Sequence, residues 1–236
     1  MARKARPPQR RARVASGVAP QGTRSVRERI IDALMDLLAQ KPIEQIGFGE
    51  IAGRANLSLS ELRAGFGSKL AILAAHVKEI DRKVLAARDP DMAEESARER
   101  LFDVLMRRLE ILEPRKEAVR SLLRSCRRDP GMAMALNGLA VRSQRWMLAA
   151  ADLDASGPGG MIRAQGLAIL FASVLRTWIN DDDPGHARTM AALDRALARG
   201  QRLSRFVHDL CRAPQFRTGM RRRRDSDSDD ERSVEV

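Results

Sequence analysis

The sequence predicts an all-α chain, for three reasons. Apolar residues recur at spacings of three and four rather than two. Strand-favouring aromatics are scarce, with no tyrosine and only 3% aromatic residues in all. Helix-start signals stand at intervals along the whole chain. With 236 residues, 44% of them hydrophobic, there is enough apolar material for a sizeable core.

The first element starts at Ser25-Val26-Arg27-Glu28, a capping box in which Ser25 accepts from a free amide of the first turn and Glu28 reaches back. Its apolar stripe is Ile30, Ile31, Leu34, Leu37 and Leu38, and Lys41-Pro42 ends it, because the residue before proline is pushed out of the α region. Short helices are expected over 48–55 and from 58 to about 64, then a longer one from Ser68. Three more follow over 91–112, 114–128 and 131–152, with Pro114 and Pro130 near the starts of the last two. Gly157-Pro158-Gly159-Gly160 reads as a loop. After it come a strongly apolar helix over 161–179 and another from Pro184 to about 212, with Gly200 as a candidate break. No self-similarity at 20–50 residues points to a solenoid.

Between the first helices, Ile51-Ala52-Gly53-Arg54-Ala55-Asn56-Leu57-Ser58 has the pattern of a helix-turn-helix. Ala52 is small where two short helices cross, Asn56 tolerates the left-handed conformation of the turn, and Leu57 plugs the core behind it. Ser58-Leu59-Ser60-Glu61 is a second capping box, so Glu61 is assigned to capping rather than to base reading. In a DNA reader, the helix that begins here enters the major groove with its N-terminal residues toward the base edges.

From Arg27 to Leu73 the chain resembles the TetR family of transcriptional regulators: Ile30, Ala33 and Leu37, then Ile51-Ala52 and Ala55, Leu57-Ser58 at the turn, and Phe66-Gly67-Ser68-Lys69 closing it. The resemblance implies a TetR-like fold, in which a three-helix DNA-binding head is joined to a larger helical body that binds a small ligand and dimerises. It implies groove-facing residues at Ser58, Leu59 and Ser60 and phosphate contacts at Gly47, Arg63 and Lys69. Arg63 stands where the family usually has tyrosine, Gly47 where it often has threonine, and Asn56 where it usually has glycine. Residues 25–69 hold six basic and six acidic side chains, so the head is formally neutral.

The domains expected are a disordered basic arm over 1–24, the head over 25–69, the body over 70–212 and a disordered charged tail over 213–236. Of the net charge of +12, the arm carries +7, the tail balances six arginines against six acids, and the rest of the chain keeps +5. The arm is therefore a candidate for minor-groove or phosphate contact. Ligand-pocket candidates in the body are Met106, Cys126, Met132, Met134, Trp146, Met147 and Phe171, chosen because methionine and aromatic side chains suit irregular apolar ligands. Dimer-interface candidates are Leu170, Val174 and Trp178 on one helix and Met190, Leu193 and Leu197 on the next, which pair with their symmetry mates as a four-helix bundle.

The functional expectation is a dimeric, ligand-responsive repressor of double-stranded DNA. The alternative is a lipid-binding protein on the same fold, similar to ubiquinone-biosynthesis accessory proteins. Leu203, Phe206, Val207 and Leu210, flanked by Arg202, Arg205 and Arg212, form a stripe suited to an anionic membrane surface or to packing on the body. Asp181-Asp182-Asp183-Pro184-Gly185-His186 has metal-ligand residue types, but helix capping by Asp183 with Pro184 in the first turn accounts for it, so no metal and no cofactor are expected. His76 and His208 are expected at the surface. No nucleophile has a sequence-adjacent base and no glycine loop cradles phosphate, so enzymatic activity is not expected. No apolar run approaches the roughly 20 residues of a membrane span, and Met1 to Arg24 lacks the apolar segment of a secretory signal. Cys126 and Cys211 have no C-x-x-C spacing, and together these features predict a cytoplasmic location.

Overall fold

The computed structural model describes residues 25–87 and 89–201 in full and, over 202–212, the helical backbone alone. Among these residues lie α1 (Val26–Leu38), α2 (Phe48–Arg54), α3 (Leu59–Gly65), α4 (Lys69–Ala86), α5 (Ala97–Leu112), α6 (Lys116–Arg128), α7 (Pro130–Ala150), α8 (Gly157–Trp178) and α9 (Ala187–Arg212), with no strand. Described residues up to Leu197 form one compact unit and those from Ala198 a second. The arm, the tail and the side chains of the 202–212 stripe, His208 among them, lie outside the described residues.

The compact unit has two hydrophobic cores. The first gathers Ile30, Leu34 and Leu38 of α1, Ile51 of α2, Leu62 of α3 and Ile72 of α4. It also takes in Ala118 of α6 and Leu139 of α7, so the head is sealed by residues well beyond 69. The second core joins Leu105 and Leu109 of α5, Met147 and Leu148 of α7, Phe171, Val174 and Trp178 of α8, and Leu193 of α9. α4 belongs to both: Ile72, Leu73 and Ala75 serve the head, Ile80 and Val84 the body. This helix is a rigid strut with the head at one end and the body at the other.

Three element starts differ from expectation, each for a local reason. α5 begins at Ala97, not 91, because Ser96 and Glu99 form a capping box and Pro90–Glu94 turns as a 3-10 helix before it. Gly157 to Gly160 is not a loop but the first turn of α8, with Pro158 where its missing amide costs nothing. α9 begins at Ala187 rather than Pro184: Asp183 Oδ2 accepts from Ala187 N at 3.1 Å, and Asp181 Oδ2 accepts from the amide and hydroxyl of Thr189. The Thr189 hydroxyl, above all, holds the Asp181 carboxyl below its ordinary range. α9 continues through Gly200 without a break.

The early start makes α8 22 residues long, and an 18-residue window of it has a mean hydropathy of 1.3, so by length and composition one helix does reach what a membrane span needs. It carries Arg163 and Arg176, and one face is packed in the body core through Ala164, Leu167, Phe171, Val174 and Trp178. One face of the helix thus packs within the protein, while Met161, Ile162 and Ile169 stay exposed on the other.

Head and body meet along α1 and α6. Arg115, just before α6, pairs with Asp32 and Asp36, one turn apart on α1. Ser121 Oγ donates to the Lys41 carbonyl at 3.2 Å, and Ser125 Oγ to Glu44 Oε2 at 3.1 Å. His76 of α4 is not at the surface. Burial first, and the Arg115 guanidinium second, push its imidazole from 6.5 down to about 4, and its Nε2 has no hydrogen-bond partner. The neutral form is thus the folded form, while the unfolded chain takes up a proton below about pH 6.5. Stability contributed by the neutral ring is complete above that value and is lost as pH falls toward 4, by at most about 3 kcal/mol. Urea unfolding of wild type and His76→Gln across pH 7 to 4 checks this: the difference between the two curves should shrink with acidification.

Candidate nucleic-acid interface

Asn56 is the pivot of the helix-turn-helix. Its φ of 53° is left-handed, which asparagine tolerates better than other side chains. The surrounding bonds are those of a Schellman turn: Leu57 N donates to the Ala52 carbonyl at 2.9 Å and Asn56 N to that of Gly53 at 3.1 Å. Arg29 of α1 completes the corner, its guanidinium donating to the Ala55 carbonyl at 3.0 and 2.6 Å and to that of Asn56 at 2.6 Å. This clamp joins residues 26 and 27 positions apart, a pairing that local patterns do not reveal.

α3 starts from the capping box at Ser58. Its hydroxyl accepts from Glu61 N at 3.2 Å and hydrogen-bonds with Glu61 Oε2 at 2.7 Å and with Ser60 Oγ at 3.0 Å. The amide of Ser58 donates to the same carboxylate at 2.8 Å. These bonds hold the Glu61 carboxyl below its ordinary range, so it stays ionised beside the reading surface. Only Leu62 of α3 is buried, while Leu59 is 59% exposed and Ser58, Ser60 and Arg63 are all exposed. Arg63 lies over Gly67, whose missing side chain leaves it room: a Cβ there would stand 3.3 Å from Arg63 Nη1. The exposed surface is therefore one apolar side chain, two hydroxyls, one cation and the capped Glu61 carboxylate at the start of a helix. That combination suits base edges and thymine methyls with an adjacent phosphate.

The two other residues matched to phosphate contacts are already engaged. The Gly47 amide donates to Glu50 Oε2 at 3.1 Å, and Glu50 also pairs with Lys41. Lys69 Nζ donates to the Ile43 carbonyl at 2.7 Å and to that of Ile46 at 3.0 Å. Lys69 thus fastens α4 to the segment before α2 with two of its hydrogens, leaving a third for an outside acceptor. The formal neutrality of the head is unevenly spread as well. Asp32 and Asp36 pair with Arg115 and Glu44 bonds to Ser125, so half of its acids are held at the body side.

In the body, Met106, Met147 and Phe171 are packed into the core. Met132 packs against the head core instead, and Cys126 is half-buried, with burial pushing its thiol pKa up. Met134 and Trp146 are 78% and 58% exposed, which removes them from any internal lining. None of the seven borders either of the two clefts described below. Of the six interface residues, Val174, Trp178, Leu193 and Leu197 are buried in the chain's own core and cannot meet a partner. Leu170 is half-buried against that core and Met190 is exposed. The apolar side chains that α8 does present outward are Met161, Ile162 and Ile169, the last two 72% and 62% exposed. Among the described residues no group of three His, Cys, Asp or Glu is placed to hold a metal.

A helix-turn-helix head on an all-helical body is the architecture of TetR-type regulators, and solved structures of that class share it. A TetR regulator from Nitrosomonas europaea matches at 22% identity with a TM-score of 0.59, over 74% of this chain and 97% of that one. A TetR regulator from a Rhodococcus species matches at 22% identity with a TM-score of 0.53, over 73% of this chain and 94% of that one. No protein-family model and no curated sequence matches the chain. The fold of this protein is that of the TetR regulators.

Proposed function

We propose that the protein is a DNA-binding transcriptional regulator acting as a homodimeric, ligand-responsive repressor. The observation that carries the reading is α3: a capped helix start that exposes Leu59, Ser60 and Arg63 while Leu62 alone anchors it to the head. The Schellman turn and the Arg29 clamp support it, since they hold α3 at a set angle to α2. Full-length protein should bind the duplex upstream of its own coding sequence more tightly than random duplex in fluorescence anisotropy. Its affinity for both should fall as salt rises. Equal affinity for the two duplexes at every salt concentration overturns the reading.

Dimerisation is assigned to the outward face of α8, where Ile162, Gly166, Ile169 and Ser173 recur at helical spacing. Gly166 has open space where its Cβ would be, so a symmetry-related helix could approach closely there. Ile162→Glu with Ile169→Glu should halve the mass seen by light scattering, and should weaken operator binding at least about tenfold, because two half-sites no longer act together. A variant of unchanged mass counts against this face.

A further inference from the structure

The outer groove between α1 and α6 has features that neither the head nor the body accounts for. It contains two clefts, of about 130 and 220 Å³, that share Ala39. The first is lined by Ala39, Gln40, Lys41, Pro42, Ser121, Arg124 and Arg128 above the buried Leu38, with three cations and no acid in its lining.

Charge pairing along α6 stops halfway. Arg115 holds Asp32 and Asp36, Lys116 holds Glu113 and Arg120 holds Glu117. Arg124 and Arg128, one turn apart and both exposed, have no ion-pair or hydrogen-bond partner among the described residues. Arg128, at the last turn, complements the helix dipole; Arg124, a turn earlier, has no such role. Two arginines at this spacing can hold one anionic group between them.

We propose that the α1–α6 groove binds a small amphipathic anion, a carboxylate or phosphate monoester carrying one ring-sized apolar group. The acid group lies between Arg124 and Arg128, and the apolar part lies on Ala39 and Pro42. A ligand in this groove touches both the body, through α6, and residues 39–42 after α1. A consequence for DNA affinity rests on the regulator reading above; binding itself does not.

Phenyl phosphate is the probe, titrated calorimetrically into the full-length protein. Arg124→Ala with Arg128→Ala should weaken its binding at least about tenfold, since two charge-assisted contacts are lost. Arg142→Ala with Arg145→Ala, which removes the same charge from the exposed surface of α7, should leave it unchanged. Inorganic phosphate should bind more weakly than phenyl phosphate. Equal loss in both double variants, no loss in the first, or equal affinity for the two anions overturns the proposal. If phenyl phosphate binds but leaves DNA affinity unmoved, the site stands and its regulatory role falls. If no form of the protein binds DNA, the regulator reading falls while the calorimetry still decides the site.

Discussion

Asp81→Ala is expected to cost about 3–5 kcal/mol of folding stability in urea unfolding, the range for breaking a buried ion pair from one side. Asp81 of α4 pairs with Arg108 of α5, the two side chains only 10% and 7% exposed. Its Oδ1 also accepts from Ser143 Oγ at 2.6 Å, so one carboxylate joins α4, α5 and α7. The Arg108 guanidinium lies 5.7 Å from the centre of the Phe171 ring and 3.6 Å from Met147 Sδ, surroundings that offer it no second anion. Removing the carboxylate strands that charge in the body core. Asp81→Leu with Arg108→Leu should recover half or more of the loss, because apolar side chains avoid the desolvation that an ion pair must overcome. A loss below about 1 kcal/mol for Asp81→Ala would mean that water reaches the pair.

The second large effect is expected at Gly160, in the first turn of α8. A Cβ there would fall inside the contact envelope of the Ala155 carbonyl and 2.9 Å from the Ala155 Cα. The obstacle is backbone, not the end of a flexible side chain, so the α7–α8 connection must move. Gly160→Ala should therefore lower stability by about 1–3 kcal/mol, although alanine is the better helix former. Gly138→Ala, in the interior of α7 and away from the proposed dimer face, meets open space and serves as the control, where helix propensity should stabilise the protein by up to about 1 kcal/mol. Thermal unfolding of the two variants should move Tm in opposite directions, and a rise for Gly160→Ala would contradict the packing described.

What could be read from the sequence was what is decided within a few residues. Ser25 with Glu28, Ser58 with Glu61, and Asn56 in the turn each act on neighbours at most five positions away, and each is found in its expected place. Three kinds of feature were not legible. Long-range pairs such as Asp81 with Arg108, Arg115 with Asp32 and Asp36, and Lys69 with the Ile43 carbonyl leave no local signature, because each charged partner alone looks like an ordinary surface charge. The inward face of α8 was also hidden. With apolar residues nearly all round, the stripe Leu170, Val174, Trp178 looked available to a partner chain, whereas packing turns it toward the core and Ile162 and Ile169 outward. The glycine run that opens α8 misled for a related reason: Gly160 is required by a close backbone approach, and turn statistics do not distinguish that from a loop.

The charge of the head follows the same division. Its composition is neutral, but Asp32, Asp36 and Glu44 are held against α6, Glu50 is engaged by the Gly47 amide and Lys41, and Glu61 is tied into a capping box. Arg63 and the remaining hydrogen of Lys69 stay available for phosphate. A formally neutral head can in this way keep cations free for phosphate while most of its acids face the body or are engaged within the head.

The central claim, that the exposed start of α3 reads base sequence, is tested most directly by selecting duplexes from a random library with full-length protein and with its Leu59→Glu variant. Leu59 is exposed and takes no part in the head core, so the variant keeps the fold while placing a negative charge where the groove must be entered. The account predicts that wild type enriches a two-fold symmetric sequence and that Leu59→Glu enriches none. Enrichment of the same sequence by both proteins, or of no sequence by wild type, would contradict it.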